Sequence, residues 1–256
     1  MLGVRYLRGR AYIHSPDKFY EQKLELIRQA IRQFDPKTQV LYFFDQLTVY
    51  LHPSLSQDWC TQAQKQPLCR QGYLSNNTFR ICGAVNCFTG QVHHIVRSKI
   101  TVAALVSFLE SLCQEHPGKT LIIILDNWTV HWHPDLRAAI QPQRYPYSIT
   151  LPKTWQNLTP RKKYIGKNLS VQLIYLPTYA SWLNPIEKLW RWLKQDLIHQ
   201  HRLTDQFQTL KYRVADWLIQ PQHMGEHLLQ YIGLKASKGI YSEAILCANT
   251  IISKNV

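Results

Sequence analysis

Two apolar runs, each five residues long and each followed directly by an aspartate, constrain the fold more than any other feature of this sequence. Val40 to Phe44 precedes Asp45, and Leu121 to Leu125 precedes Asp126. Unbroken apolar runs of strand length are typical of strands that are covered on both faces. We therefore predict a central sheet between two layers of helices, and we expect both strands to end at their aspartates.

Further helix and strand signals surround these two runs. Ser15-Pro16-Asp17 has the N-cap, first-turn proline and first-turn acid of a helix start. Its predicted buried face is Tyr20, Leu24, Ile27, Ile31 and Phe34. A hairpin is predicted from Phe79–Phe88 and Gln91–Ile95 around Thr89-Gly90, followed by a helix over Thr101–His116 and a strand over Val171–Leu176. Asn184-Pro185 then opens a helix with Ile186, Leu189, Leu193 and Leu197 on one face. A helical tail is predicted from about Thr204 to Leu218. This order predicts an α/β fold over residues 1–256, a single domain with a mixed sheet and helices on both faces.

Charge points to a polyanionic partner. Thirty Lys and Arg residues against sixteen Asp and Glu residues give a net charge of +14. Such a balance attracts nucleic acid, and the alternative is a soluble basic protein without such a partner. Residues 141–170 stand out as a basic, aromatic and proline-rich segment that we interpret as an irregular insertion. Its cations and aromatic rings could contact DNA, and the alternative is a solvated loop whose rings pack on the domain.

The cysteines and the hydropathy place the chain inside the cell. The six cysteines include no Cys-x-x-Cys pair and have no histidine at zinc-finger spacing, so we expect reduced thiols. We find no N-terminal signal sequence, and runs such as Leu121 to Leu125 are far below the ~20 residues that span a bilayer. We predict a soluble protein with no membrane partner.

Three acids are candidate ligands for a metal ion. A carboxylate at the end of a buried strand must be paired, neutralised or metal-bound, which makes Asp45 and Asp126 informative, although each could simply cap the following turn. Glu187 is the first acid after Asp135. It also fits a capping box with Asn184, with Arg191 as its i,i+4 partner.

Oxygen ligands without a His or Cys cluster suit Mg²⁺ or Mn²⁺ better than zinc. Two such ions are suited to phosphoryl transfer. Gly118-Lys119-Thr120 resembles the end of a Walker loop, but Cys113 occupies the place of its first glycine, which argues against an NTPase.

The chain resembles the bacterial insertion-sequence branch of the mariner-like transposases from about residue 10 to about residue 235. Four segments carry this resemblance: Ser15-Pro16-Asp17 with its helix; Leu41-Tyr42-Phe43-Phe44-Asp45; Leu125-Asp126-Asn127-Trp128-Thr129-Val130-His131; and Leu176-Pro177-Thr178-Tyr179-Ala180-Ser181-Trp182-Leu183-Asn184-Pro185-Ile186-Glu187-Lys188-Leu189-Trp190. The last segment is highly specific.

The resemblance implies an RNase H-like fold in which Asp45, Asp126 and Glu187 bind two Mg²⁺ or Mn²⁺ ions. It implies that Asn127, His131 and Asn184 support these ligands or touch the scissile phosphate, with a structural histidine as the alternative for His131. The implied substrates are element ends and target DNA, bound by a homodimer in the bacterial cytoplasm at the nucleoid. Candidate DNA-binding cations are Arg161, Lys162, Lys163, Lys188, Arg191 and Lys194, for which a solvated surface is the alternative.

Departures from the family pattern leave two rival functions open. Gln46 stands where many relatives have a second acid, and Asp126 and Glu187 are 61 residues apart, farther than usual, an excess that matches the segment 141–170. The helix-turn-helix domains that precede the catalytic domain in relatives are not in this sequence, so we expect either that recognition resides on another polypeptide or reading frame or that this copy is a decayed remnant. The rivals are an inactive DNA-binding remnant and a metal nuclease without strand transfer.

Overall fold

A five-stranded mixed sheet forms the centre of the protein. The structure, a computed structural model, describes residues 14–56, 68–73 and 75–254. The strands are β1 (Gln39–Tyr50), β2 (Thr78–Asn86), β3 (Val92–Arg97), β4 (Thr120–Leu125) and β5 (Val171–Tyr175). Their order is β3-β2-β1-β4-β5, with β1, β4 and β5 parallel and β2 antiparallel to both of its neighbours. The predicted mixed sheet is confirmed.

Helices cover both faces of this sheet, as predicted. They are α1 (Tyr20–Arg32), α2 (Val102–Glu115), α3 (Pro134–Ala139), α4 (Ile186–Leu193), α5 (Phe207–Ile219), α6 (Gly225–Ile232) and α7 (Ser242–Lys254). Leu41 and Phe43 of β1 belong to the core that packs against α1, α4, α5 and α6, whereas Tyr42 and Phe44 belong to the core that packs against α2 and α3. Because side chains alternate along a strand, β1 contributes side chains to both cores.

Strand β1 does not end at Asp45, contrary to our prediction. Its pairing with β4 stops at Phe43, but its pairing with β2 continues to Tyr50. Pairing with the antiparallel strand β2 therefore keeps Asp45 in an extended conformation beyond the point where pairing with the parallel strand β4 ends. Strand β4 does end directly before Asp126, as predicted.

Helix α1 begins at Tyr20, so the prediction that it starts at Ser15-Pro16 was wrong. Ser15 Oγ accepts a hydrogen bond from the Asp17 amide and donates one to the Thr178 carbonyl at 2.5 Å. The Asp17 carboxylate accepts from the Phe19 and Thr178 amides. These groups connect two distant loops, which stops them from capping the helix. The predicted buried face is confirmed except at Tyr20, which is half-buried.

The remaining boundaries differ little from expectation. The hairpin turn extends beyond Thr89-Gly90, because Asn86 Oδ1 accepts from the Phe88 and Thr89 amides. The α4 helix continues as a π-helical turn over Lys194–Ile198, and the helical tail begins at Phe207. All five cysteines among the described residues are free thiols, while Cys60 and residues 1–13 lie outside the described residues.

The segment 141–170 contains two short 3-10 turns and one isolated bridge, from Leu169 to Ile140, and its rings pack on the domain. Tyr147 and Tyr164 are buried, and Tyr145 and Trp155 pack against the α2 core. The Gln143 side chain pairs with the outer edge of β5, donating to the Val171 carbonyl at 2.6 Å and accepting from the Leu173 amide at 3.0 Å. The segment therefore covers an otherwise open sheet edge. In the part of the chain that the structure describes, no helix is long and apolar enough to cross a bilayer.

Candidate active site

Three carboxylates from three separate elements line one cleft. Asp45 comes from β1, Asp126 from the residue after β4 and Glu187 from the first turn of α4. The cleft has a volume of about 590 Å³, and its other walls come from residues 127–128, 176–182 and 184. The fold thus brings together acids that are far apart in sequence.

Sheet register explains why the first two acids meet. The parallel pairing of β1 with β4 ends at Phe43 and Ile124, so Asp45 and Asp126 each lie two residues beyond the last pair. The carboxyl ends of neighbouring parallel strands share one edge of a sheet, where ligand sites commonly lie. The third acid is brought in by Asn184, whose Nδ2 donates to the Phe44 carbonyl at 3.0 Å. That bond fixes the start of α4 against β1.

Asp45 is oriented by an indole. Trp190 Nε1 donates to Asp45 Oδ2 at 2.9 Å. Trp190 can approach because Gly83, paired with Asp45 across β1 and β2, has no side chain: a Cβ there would lie 2.5 Å from the indole. Trp190 therefore fixes the orientation of a carboxylate that lines the cleft.

His131 performs a similar role for Asp126. His131 Nδ1 lies 3.1 Å from Asp126 Oδ1, and the imidazole is only 1% exposed. Burial opposes ionisation of Asp126, but the hydrogen bond and charge of His131 and the Trp128 amide together lower the pKa of this carboxyl. The buried ring positions Asp126 and does not reach into the cleft. Gln46 Nε2 lies 3.5 Å from His131 Nε2, so position 46 faces this histidine.

The other two acids have raised pKa values. Burial, then the negative charges of Glu187 and Asp126, raise the pKa of Asp45 to about 7. Burial also raises the pKa of Glu187, assisted by Asp126 and opposed by Lys194 and Arg191. Like charges in one cleft disfavour each other's ionisation, and a bound cation reverses that effect. The electrostatics of the cleft therefore favour a cation.

Asn184 leaves a buried oxygen without a partner. Its Oδ1 accepts no hydrogen bond from the described residues, although the side chain lines the cleft and is 3% exposed. The alternative of a capping box is not supported, because α4 has no side-chain cap and Asn184 donates to Phe44 instead. Three carboxylates and an unsatisfied amide oxygen form an all-oxygen donor set, which fits Mg²⁺ or Mn²⁺.

Asn127 joins the site to a buried ion pair. Its Nδ2 donates to the Leu176 carbonyl, and its Oδ1 lies 3.5 Å from Lys23 Nζ. Lys23 in turn is bonded to Asp17 at 2.8 Å, and both side chains are nearly fully buried. This network connects α1, the end of β4 and the loop after β5.

Aromatic side chains at the cleft were not among the residues singled out from sequence. Tyr179 is 79% exposed and Trp182 is 42% exposed, and both line the cleft together with Trp128. They lie within the motif that carried the family resemblance, but only the structure shows that they face solvent beside the acids. Exposed rings of this size are suited to stacking on bases.

The candidate DNA-binding cations lie in different places. Arg191 and Lys194 act electrostatically on Glu187 and so lie near the cleft, whereas Lys188 Nζ lies against Gly233 at the end of α6. Arg161 is bonded to Asp135 at 2.8 Å. Lys162 and Lys163 are exposed, and neither lines the cleft.

Comparison with known proteins identifies the family of this chain. Residues 40–211 match the family described as DDE superfamily endonuclease. The insertion element IS630 uncharacterized 39 kDa protein of Shigella sonnei is 22% identical over 210 residues, which cover 82% of this chain and 53% of that protein. The chain thus spans about half the length of this curated relative.

Solved structures show the same fold. The Mos1 mariner paired-end complex with Mn superposes with a TM-score of 0.60 at 11% identity, covering 99% of this chain and 68% of that one. The Mos1 paired-end complex with the left transposon end gives 0.58 at 12% identity, covering 97% and 67%. The RNase H-like fold is confirmed. The resemblance to the bacterial insertion-sequence branch of the mariner-like transposases is confirmed with it, and the chain belongs to the DDE superfamily endonucleases.

Proposed function

We propose that this chain cleaves DNA at the ends of a mobile element and joins the freed 3′ ends to target DNA. The observation that carries the proposal is the convergence of Asp45, Asp126 and Glu187 in one cleft of a DDE-family fold. These acids, with Asn184 Oδ1 beside them, would hold two Mg²⁺ or Mn²⁺ ions. When bound, such ions supply an activated attacking oxygen and stabilise the leaving oxygen of an in-line displacement.

The protein's own contribution is orientation. Trp190 fixes Asp45, His131 fixes Asp126, and Asn184 fixes the helix that carries Glu187. Ligands held by such supporting contacts need little rearrangement when substrate binds. In the first reaction water attacks the phosphodiester and the 3′ oxygen leaves as a hydroxyl. In the second, that hydroxyl attacks a target phosphodiester and expels another 3′ oxygen.

Substrate DNA would approach along the cleft mouth. Arg191 and Lys194 place positive charge beside the acids, where the phosphate backbone must come close. Tyr179 and Trp182 offer exposed rings to bases that are unstacked near the cut. The solved Mos1 complexes contain transposon ends, which supports element ends as the substrate. A homodimer on DNA and reaction at the nucleoid belong to the same proposal.

A nicking assay tests this function. Supercoiled plasmid and labelled duplex DNA are incubated with the protein and Mn²⁺, and bound metal is measured in parallel. We expect the wild type to nick DNA and Asp126→Asn to lose nicking together with metal affinity. Asp205→Asn is the matched control, since Asp205 forms an exposed ion pair with Arg70 outside the cleft.

The products separate the proposal from its rivals. Joined products in addition to nicks support strand transfer, whereas nicks alone indicate a nuclease. DNA retention with no metal binding and no nicking indicates an inactive remnant. Equal nicking by the wild type and Asp126→Asn would exclude the carboxylate cleft as the site.

A further inference from the structure

A second cluster of metal-ligating side chains lies on the opposite face of the sheet. It contains His93 on β3 and Glu115 and His116 at the end of α2. One ring nitrogen from each histidine and one carboxylate oxygen lie within 4.8 Å of one another. Their neighbour Tyr42 packs in the core beneath α2, whereas Asp45 packs against α4. This cluster is therefore separate from the carboxylate cleft.

Tyr42 already holds the two imidazoles together. Its hydroxyl lies 2.7 Å from His116 Nε2 and 3.3 Å from His93 Nε2, and His93 Nδ1 lies 3.2 Å from Glu115 Oε2. The Tyr42 ring is buried, while the Glu115 side chain is 48% exposed. The cluster is thus closed towards the core and open to solvent on the side of Glu115, which gives an ion a path of entry.

Local charge at this position favours a cation. Glu115 and His116 are at the C-terminal end of α2, where the helix dipole is negative, and the last turn of α2 has no basic residue. A carboxylate there adds to the negative potential. Two imidazole nitrogens with one carboxylate oxygen are ligands that zinc and its neighbours accept, whereas Mg²⁺ prefers oxygen.

We propose that His93, Glu115 and His116 bind a divalent transition-metal ion of the Zn²⁺ class. The ion fastens the C-terminal end of α2 to β3, which is the edge strand of the sheet. Tyr42 positions the imidazoles from below. The site is structural, it is independent of the proposed DNA chemistry, and it stabilises the face of the sheet that lies opposite α4.

Zinc titration of the full chain tests this proposal. Zn²⁺ affinity is measured against a chromophoric chelator with millimolar Mg²⁺ present to occupy the carboxylate cleft, and Co²⁺ absorption reports nitrogen ligation. We expect one Zn²⁺ that Mg²⁺ does not displace. Replacement of one protein ligand, in His116→Gln or Glu115→Gln, should weaken Zn²⁺ binding by at least the roughly 10- to 100-fold that loss of a mere supporting contact causes.

His94→Gln is the matched control, because His94 follows His93 on β3 and points to the other face of the strand. This variant should bind Zn²⁺ like the wild type. Glu115 is half exposed, so Glu115→Gln should keep the fold even if a histidine variant does not. Absence of Zn²⁺ binding by the wild type overturns the proposal, as does equal affinity of the wild type and Glu115→Gln.

Discussion

At the scale of a single residue, we predict that metal binding depends on the hydrogen bond from the Trp190 indole to Asp45. Trp190→Phe keeps the ring packed over Gly83 but removes the bond to Asp45 Oδ2. The carboxylate then loses its fixed orientation, and loss of a supporting contact of this kind weakens metal binding about 10- to 100-fold. Mn²⁺ affinity measured by calorimetry checks the effect.

Trp217→Phe provides a matched control for this change. Trp217 Nε1 donates to Asp196 Oδ2 at 3.2 Å, the same type of contact but away from the carboxylate cleft. Mn²⁺ affinity should be unchanged in this variant. Equal losses in the two tryptophan variants would attribute the effect to general destabilisation and would contradict a specific role for Trp190.

Asp45 carries a prediction about stability and pH in the metal-free protein. Its pKa is about 7 in the folded state and 3.8 ordinarily, because of burial first and of Glu187 and Asp126 next. The folded state therefore binds this proton more tightly, and the resulting stabilisation is lost as pH rises from about 4 through about 7. The Asp45→Asn side chain does not titrate. The free energy of unfolding of this variant should therefore increase relative to that of the wild type across that pH range, by up to about 4 kcal/mol.

Urea unfolding at several pH values, with a chelator present, measures this difference. Added Mn²⁺ should reverse the order of stability at pH 8, since a cation favours the ionised wild-type cleft. Parallel stability profiles for the two proteins would show that Asp45 titrates normally.

At the scale of elements, one buried ion pair holds the loop that walls the cleft. Asp17 accepts from the Thr178 amide and from Lys23, whose side chain is only 7% exposed. Asp17→Ala would leave the Lys23 charge buried without its partner, which costs about 3–5 kcal/mol. Glu25→Ala is the control, because the Glu25–Arg32 pair is partly exposed and such pairs contribute about 1 kcal/mol or less.

The same pair gives a pH signature of opposite sign to that of Asp45. Burial opposes ionisation of Asp17, but Lys23 and two backbone amides lower its pKa to about 2. The stabilisation is thus present above the ordinary pKa of 3.8 and is lost as pH falls through about 2. The wild type and Asp17→Ala should differ in free energy of unfolding by a constant amount from pH 5 to 7 and converge below pH 4. A constant difference down to pH 2 would contradict this.

Much of the architecture was predictable because its elements repeat a simple pattern. The first half of β1 and almost all of β4 are continuous apolar runs, and the buried face of α1 follows helical periodicity, so local sequence predicts them. The end of β1 was mispredicted because pairing with β2 extends the strand to Tyr50. The other errors occur where side chains form hydrogen bonds with distant parts of the chain. Asp17 accepts a hydrogen bond from the Thr178 amide instead of capping α1, and Asn184 donates one to the Phe44 carbonyl instead of capping α4.

The contacts that complete the site could not be read from the sequence for the same reason. The approach of Trp190 to Asp45 depends on Gly83, which is on another strand. Whether Tyr147 packs or faces DNA depends on the surface it meets, and it is buried. Sequence patterns place the three acids on elements, but distances between elements come from the tertiary structure.

At the scale of the whole molecule, two different sets of candidate metal ligands lie on opposite faces of the sheet. The α4 face presents carboxylate and amide oxygens from β1, β4 and α4, while the α2 face presents two imidazoles and a carboxylate. The first set joins elements that are distant in sequence, and the second joins the consecutive elements β3 and α2, so both sets are assembled only when the chain folds. An ion bound to either set therefore stabilises the folded state over the unfolded chain.

We expect Mn²⁺ and Zn²⁺ to stabilise the protein independently. A free ion concentration of 100 times the dissociation constant adds about 2.7 kcal/mol to the free energy of unfolding. That increase raises the melting temperature of a chain of this size by about 5–10 °C. Asp126→Asn should lose the Mn²⁺ shift and keep the Zn²⁺ shift measured with saturating Mg²⁺, and Glu115→Gln should do the reverse. If both shifts disappear in the same variant, the two ions share one site and the assignment of separate faces is wrong.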